Sequence, residues 1–324
     1  MTSSSSRVLV TGASGQIGTE LLHALGRKYG PENVVAADIQ PLSKNAPACL
    51  YETLDVTKAE RFEEVIKKHR VDTVFHLAAI LSANGETIPQ LAWSVNMDGT
   101  YNVLEAARKL GLTRIFIPSS IAAFGPETPR VNTPQDTILK PKTMYGLTKV
   151  AGELLADYYV ARYGVDIRGC RFPGIISNGA LPGGGTTDYA VAIYYEAVKN
   201  GRYTCFLGPE TRLPMMYMPD CLKSILDLMA ADFAGLRHHA DFNVTAMSFT
   251  PAEQAEAIRK LIPGFEVEYK PDFRQAIADS WPESLDDSAA REEWGWKPDY
   301  DLEAMSKDMI EVLQKRHAEG NLGY

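Results

Sequence analysis

The chain reads as an α/β protein built on a doubly wound parallel sheet, and three observations carry that reading. Apolar, β-rich runs alternate with amphipathic helical patterns from the first residues onward. A glycine-rich stretch, Thr11-Gly-Ala-Ser-Gly-Gln-Ile-Gly18, sits directly between a Val-Leu-Val strand and the first helix. The length of 324 residues, 45% hydrophobic and 23% charged, suits one large α/β unit or two associated ones.

Residues 7–11 form the first predicted strand and 17–29 its helix. Residues 33–38 form the second strand, and a third ends near Asp55 before an amphipathic helix over 58–69. Strands at 73–77 and 114–119 flank a long helix around 91–110. A further helix runs from Tyr145 to Tyr163 and leads into a strand at 166–171.

After Phe172-Pro173-Gly174 the regularity changes, and a loop rich in glycine and proline at 179–185 opens a smaller substrate region. A strand at 215–218 and the helix after Pro219 rejoin the main sheet. From Pro251 the tail carries short helices and ends in a helix over 302–317. The expected division is therefore 1–173 plus about 214–247 for a dinucleotide, with 174–213 plus 248–324 for a substrate.

A net charge of −8, with no dense basic run, argues against nucleic acid as a partner. Cys49, Cys170, Cys205 and Cys221 are too scattered for a disulfide framework or a zinc site, which fits a reducing compartment. No metal is expected. No apolar run approaches the ~20 residues that span a bilayer. The first seven residues are not a secretory signal; a presequence stub or a disordered lead-in remain as readings.

In the glycine-rich turn, Gly12, Gly15 and Gly18 allow a tight strand-to-helix connection and close approach of the backbone to a pyrophosphate. The helix opening at Gln16 and Ile17 offers free N–H groups and a favourable dipole. This is the Rossmann arrangement. Asp38 falls at the end of the second strand, where a carboxylate accepts both ribose hydroxyls and repels a 2′-phosphate, so the expected cofactor is NAD. Asp55 and Val56 follow the third strand, placed either to meet the adenine or, for Asp55, to cap the next helix.

Tyr145 and Lys149 stand four apart, on one helical face. A tyrosine acts as base for an alcohol only when its phenolate is accessible, and its ordinary pKa is ~10. Lowering it by ~2–3 units needs roughly 3–4 kcal/mol. One ammonium at ~4–5 Å supplies about that at an effective dielectric of ~20, and Lys149 is placed to be that ammonium. Ser120, at the end of its strand, is suited to orient the reacting oxygen. Ser119 competes, because neighbours on a strand point to opposite faces; the spacing to Tyr145 favours Ser120. Tyr195 and Lys199 repeat the spacing without a glycine turn or serine strand nearby, and with 15 tyrosines a chance match is expected.

These residues resemble the extended short-chain dehydrogenase/reductase superfamily through Thr-Gly-x-x-Gly-x-x-Gly, His76-Leu-Ala-Ala79, Ser-Ser-x-x-x-Phe-Gly and Tyr-x-x-x-Lys. Six further segments are similar to the short-chain-type L-threonine 3-dehydrogenases of bacteria and eukaryotic mitochondria. They are Ile80-Leu-Ser-Ala83, Pro89-Gln-Leu-Ala-Trp-Ser-Val-Asn96, Pro118-Ser-Ser-Ile-Ala-Ala-Phe-Gly-Pro126, Gly185-Thr-Thr-Asp-Tyr-Ala190, Leu213-Pro-Met-Met-Tyr-Met-Pro-Asp220 and Ser280-Trp-Pro-Glu-Ser-Leu-Asp-Asp287. The resemblance covers residues 8 to about 309.

It implies NAD-dependent oxidation of the L-threonine 3-hydroxyl to L-2-amino-3-oxobutanoate, which goes on to aminoacetone or, with CoA, to glycine. It makes Tyr145 the base, Lys149 its partner and Ser120 the hydroxyl clamp; members often carry threonine at the Ser120 position. It adds Leu77, Ala78, Ala79 and Asn96 to the cofactor contacts, and gives Ser82, Thr186, Thr187 and Trp281 to the substrate. It also implies a homodimer paired through the two long helices, in the mitochondrial matrix of a eukaryote or the cytoplasm of a bacterium.

On the residues alone, Thr186 and Thr187 can instead cap the next helix, Trp281 can be packing, and Asn96 can either touch the site or interrupt its helix. His76 reads as a hydrogen-bonded core histidine. The rival enzyme is a UDP-sugar epimerase, whose Arg-Tyr-Phe-Asn stretch corresponds here to Arg171-Phe-Pro-Gly174. A non-catalytic NAD sensor is the remaining alternative; it would have lost Tyr145 or Lys149.

Overall fold

The computed structural model describes residues 6–43, 46–179 and 183–322. β1 (Val8–Thr11) leads through the glycine turn into α1 (Gln16–Tyr29) and β2 (Val34–Asp38), then β3 (Leu50–Thr53), α2 (Ala59–His69) and β4 (Thr73–His76). Two short helices, α3 (Ser82–Thr87) and α4 (Pro89–Trp93), pass through a π-helical turn at Ser94–Asp98 into α5 (Gly99–Leu110). β5 (Arg114–Phe116), β6 (Ser119–Ser120), α6 (Met144–Tyr163), β7 (Ile167–Arg168), β8 (Cys170–Phe172) and β9 (Gly174–Ile176) follow. The remainder is α7 (Tyr189–Asn200), β10 (Arg202–Cys205), β11 (Leu213–Tyr217), α8 (Met218–Ala230), β12 (Phe242–Asn243), β13 (Met247–Phe249), α9 (Pro251–Leu261), β14 (Glu266–Tyr269), α10 (Arg274–Ala278), α11 (Ser288–Trp294) and α12 (Leu302–Ala318).

Six parallel strands make the central sheet in the order β3-β2-β1-β4-β5-β7. Strand alternation divides its core in two. Val8, Val10, Val34 and Ala36 face Leu21 and Leu25 of α1 and Ile225 of α8. Leu9, Val35 and Ala37 face Phe62 of α2, Val103 of α5 and Tyr159 of α6. A third cluster gathers Tyr194, Ile258 and Met309 from α7, α9 and α12, with Tyr145 and Trp281 also in it. The strand order reverses between β1 and β4, so a crevice opens at their C-terminal ends, where ligands settle in such sheets.

The predicted strands 114–119 and 166–171 each break in two. Pro118 has no N–H to give a ladder, and β5 stops at Phe116. Opposite it, a side chain at Gly169 would lie 2.1 Å from the Ile117 carbonyl oxygen, so only glycine fits where the partner strand breaks. Beyond both breaks β6 pairs with β8 in a separate sheet, Ser119 opposite Arg171 and Ser120 opposite Phe172. The pair of serines is thereby turned out of the central sheet.

The strand at 213–217 differs from expectation. It pairs with β9 and β13 in a mixed three-stranded sheet, not with the central one, although α8 packs beside α1. Residues 180–182 of the predicted glycine–proline loop lie outside the described residues. Among the described residues no helix is long and apolar enough to cross a membrane, and no His, Cys, Asp and Glu side chains cluster as metal ligands.

Candidate active site

A cleft of about 550 Å³ runs from the glycine turn to the loop before α7. Its wall includes Gly12, Gly15, Gln16, Ile17 and Gly18, then Leu77 and Ala79, then Ser82, Ser120, Tyr145, Lys149, Thr186, Thr187 and Trp281. The fold thus brings together side chains that the sequence scatters over nearly its whole length.

At one end the backbone is packed too closely for any residue but glycine. Gly12 has φ +66°, and a side chain there would lie 2.6 Å from the Ala78 nitrogen; one at Gly18 would lie 2.2 Å from the Gly12 oxygen. No side chain caps α1 at Gly15, so its first N–H groups are left for a ligand. Among the described residues the buried Gln16 amide nitrogen has no hydrogen-bond partner, and a polar ligand such as a dinucleotide would give it one. Asp38 stands over the turn, its carboxylate accepting the Ser14 N–H at 2.9 Å and the Gln40 N–H at 3.0 Å. These groups fit a dinucleotide.

Asp38, Asp55, Val56, Ala78 and Asn96 are not on the cleft wall. The Asp55 carboxylate accepts the Thr57 hydroxyl and N–H at 2.7 and 3.0 Å, a local turn before α2, whose own N-cap is Lys58. Val56 is packed against Gly99, and its carbonyl accepts from the Asn102 amide. Asn96 does not interrupt its helix: it sits in the π-helical turn, with its side chain bonded to both backbone groups of Ile80 and to the Thr148 hydroxyl. It ties the segment after β4 to α6. Ala78 packs under Gly12.

α6 positions the chemical groups. The Thr143 hydroxyl accepts the Gly146 N–H at 3.1 Å and starts the helix, placing Tyr145 in its first turn. Tyr145, Lys149 and Glu153 then follow at four-residue intervals along one face. Lys149 Nζ donates to the Pro118 carbonyl at 2.7 Å and lies 5.3 Å from the centre of the Tyr145 ring.

The two serines separate. Ser119 is buried and its hydroxyl donates to Glu153, itself held by Arg171 through two contacts of 2.9 and 2.8 Å. The Ser120 hydroxyl accepts the Ala122 N–H at 3.2 Å, and Ser120 lies on the cleft wall with Tyr145, whose phenolate it favours. Ser120, not Ser119, meets the tyrosine.

The electrostatics differ from the sequence expectation. Burial pushes the Tyr145 phenol up to about 12, with the Ser120 hydroxyl pulling it back in part. Burial likewise pushes the Lys149 ammonium down to about 8, opposed by Glu153. For both groups the cost of desolvation outweighs what the neighbouring side chains return. The chain alone does not make the phenol acidic.

At the other end, Ser82 and Thr186 are buried with their hydroxyls 3.0 Å apart. Neither Thr186 nor Thr187 caps α7; Asp188 occupies that position, and its carboxylate accepts the N–H groups of Gly184 and Gly185 at 2.8 and 2.7 Å. Asp188 is the one carboxylate on the cleft wall among the described residues, and the sequence reading passed over it. Its signal was the acid ending Gly-Gly-Gly-Thr-Thr-Asp. Trp281 is 4% exposed, both packed in the third core cluster and on the cleft wall. His76 is a buried core histidine, its Nδ1 2.8 Å from the Thr11 hydroxyl, and burial holds it neutral by pushing it down to about 3.

Residues 8–245 match the model described as the NAD dependent epimerase/dehydratase family. An uncharacterized epimerase/dehydratase of Staphylococcus aureus is 50% identical over 313 residues, 96% of this chain and 97% of that protein. Among solved structures, L-threonine dehydrogenase from Clostridium difficile is 52% identical with a TM-score of 0.93, covering 98% of this chain and 99% of that one. A monomeric L-threonine 3-dehydrogenase from a metagenome is 46% identical with a TM-score of 0.92, covering 95% and 99%.

Proposed function

The chain belongs to the NAD dependent epimerase/dehydratase family, and from that premise we propose that it oxidises L-threonine at the 3-hydroxyl, with NAD, to L-2-amino-3-oxobutanoate. The observation that carries this reading is the substrate end of the cleft. The small hydroxyl side chains Ser82, Thr186 and Thr187 line the same cleft as Ser120, Asp188 and Trp281, a setting for a compact zwitterion.

Tyr145 takes the proton of the 3-hydroxyl, Ser120 holds that oxygen, and the Lys149 charge stabilises the phenolate. NAD, when bound, would supply the hydride acceptor and a positive charge that favours the phenolate. Gly12, Gly15, Gln16, Ile17 and Gly18 would hold the pyrophosphate, with Leu77, Ala78 and Ala79 as further cofactor contacts. Asp38 would take the adenosine ribose and Asp55 and Val56 the adenine, while Asn96 would act by fixing the segment after β4. Ser82, Thr186 and Thr187 hold the substrate's charged groups. On this reading 1–173 plus about 214–247 serve the cofactor, and 174–213 plus 248–324 serve the substrate.

The chain pairs with a second copy through α5 and α6, whose outer faces carry exposed apolar side chains such as Tyr101, Leu154 and Tyr158.

The test follows NADH absorbance on adding L-threonine, L-allo-threonine, L-serine or UDP-galactose with NAD, and L-threonine with NADP. Reduction with L-threonine and NAD, lowered about 10²–10⁴-fold in Tyr145→Phe, is the expected result. No reduction with L-threonine would overturn the substrate assignment, and conversion of UDP-galactose to its 4-epimer, read by chromatography because epimerisation yields no net NADH, would replace it with the epimerase reading.

A further inference from the structure

Beside the cleft, and sharing Ala79, Pro118, Ser119 and Lys149 with it, lies a recess of about 20 Å³, room for one water molecule. Its lining includes His76, Asn96, Thr148, Lys149, Ser119 and Glu153. His76 is 3% exposed, and its Nε2 has no hydrogen-bond partner among the described residues. A buried ring nitrogen facing a polar recess needs a partner, and one water satisfies it. Lys149 has three donors, of which Pro118 takes one. Glu153, 5% exposed, is one turn beyond Lys149 and is fixed by Arg171 and Ser119.

We propose that one ordered water in this recess joins Lys149, His76 and Glu153, and that Glu153 is thereby a positioning residue that keeps Lys149 charged and held beside Tyr145. The inference rests on the dehydrogenase reading for its catalytic meaning. The groups facing Glu153 are Lys149 and Asp157 on α6, Arg171 on β8, Asp241 before β12 and, across the recess, His76 on β4. Arg171 is shared between Glu153, at 2.8 Å, and Asp241, at 3.5 Å, so two carboxylates face one guanidinium and the cluster keeps a net negative charge to act on Lys149. Through Ser119 the same carboxylate also fixes the strand end that presents Ser120.

The test reads Lys149 directly and needs no substrate, so it is independent of whether L-threonine is turned over. Protein labelled with ¹³Cε-lysine is titrated by NMR, the Lys149 signal being assigned by its loss in Lys149→Met. Glu153→Gln should lower the Lys149 midpoint by about one pH unit or more. Glu153→Asp, which keeps the charge, should lower it by less than Glu153→Gln does; if Glu153→Gln does not fold, Glu153→Ala takes its place, with the same expected drop of about one pH unit or more. A high-resolution crystal structure of the wild type should place one water within hydrogen-bonding distance of His76 Nε2. An unchanged midpoint in the folded variants, or a dry recess, would overturn the proposal.

Discussion

The hydroxyls of Ser82 and Thr186 stand 3.0 Å apart although 104 positions separate them in the chain. The contact joins the first residue of α3 to the loop before α7, and the Thr186 N–H also donates to Ser82 at 3.3 Å. Two buried hydroxyls facing a cleft lose little to each other and gain from a charged ligand. Ser82→Ala and Thr186→Ala should each raise KM for L-threonine about 10-fold or more, the range for hydrogen bonds to charged groups, with NAD affinity unchanged. The double variant should lose less than the two singles added, since each removes the other's partner. Steady-state kinetics with a fluorescence titration of NAD checks this, and an unchanged KM in both singles would sink it.

Lys149 sets function against stability. Burial holds its folded pKa at about 8, below the 10.5 of the free side chain. Between those values the unfolded chain binds more protons than the folded one, so stability rises with pH across that window. Below the folded value the burial penalty is fully present. Lys149→Met should therefore lose nearly all activity yet stabilise the fold at pH 7, on the order of 1 kcal/mol. The carbonyl of Pro118 left without its donor keeps the gain small. Thermal melts at pH 7 and near pH 10 check the sign. The advantage should shrink at the higher pH, and a lower melting temperature at pH 7 would contradict it.

The parts of the site legible in the sequence are those whose geometry is local. The glycine turn, Asp38 and the Tyr145–Lys149 spacing all lie within one strand, turn or helix, where periodicity fixes the direction of a side chain. Between Ser119 and Ser120 the sequence offers only the spacing to Tyr145, which favours Ser120, and no contact. Alternation says that only one faces the tyrosine, and the deciding contact comes from Glu153, 34 positions on. The same limit explains the strand breaks. Pro118 and Gly169 are visible as interruptions, but that both strands shift to a second sheet at one level depends on their pairing. The phenol was read as acidic because a neighbouring cation is visible in the sequence and the depth of burial is not.

Two glycines of α6 should respond oppositely to alanine. A side chain at Gly146 would lie 2.1 Å from the Ala122 carbonyl oxygen, so the helix must move off the serine-bearing segment. Gly146→Ala should separate Tyr145 from Ser120, cutting kcat more than it weakens NAD binding. At Gly152 nothing lies within 4 Å of the added carbon. Gly152→Ala should stabilise the helix by about 0.5–1 kcal/mol and leave kcat within about twofold. Kinetics and thermal melts on the pair check the contrast, and equal losses in both would show that the close approach at Gly146 does not govern the site.

α6 is apolar on its outer side as well as its inner one. Ala156 and Tyr159 face the core, whereas Leu154 is 64% and Tyr158 54% exposed on the single chain. Tyr101 on α5 is 50% exposed. A helix apolar all round belongs inside an assembly, and a second copy set against α5 and α6 would cover this face. A carboxylate at its centre would have to be desolvated on pairing without a partner, which opposes association strongly. Leu154→Glu should convert a dimer to a monomer at micromolar concentration, measured by light scattering after size exclusion, while the isolated fold keeps its thermal transition. A wild-type chain that is already monomeric would remove the paired arrangement and align this protein with its monomeric metagenomic relative.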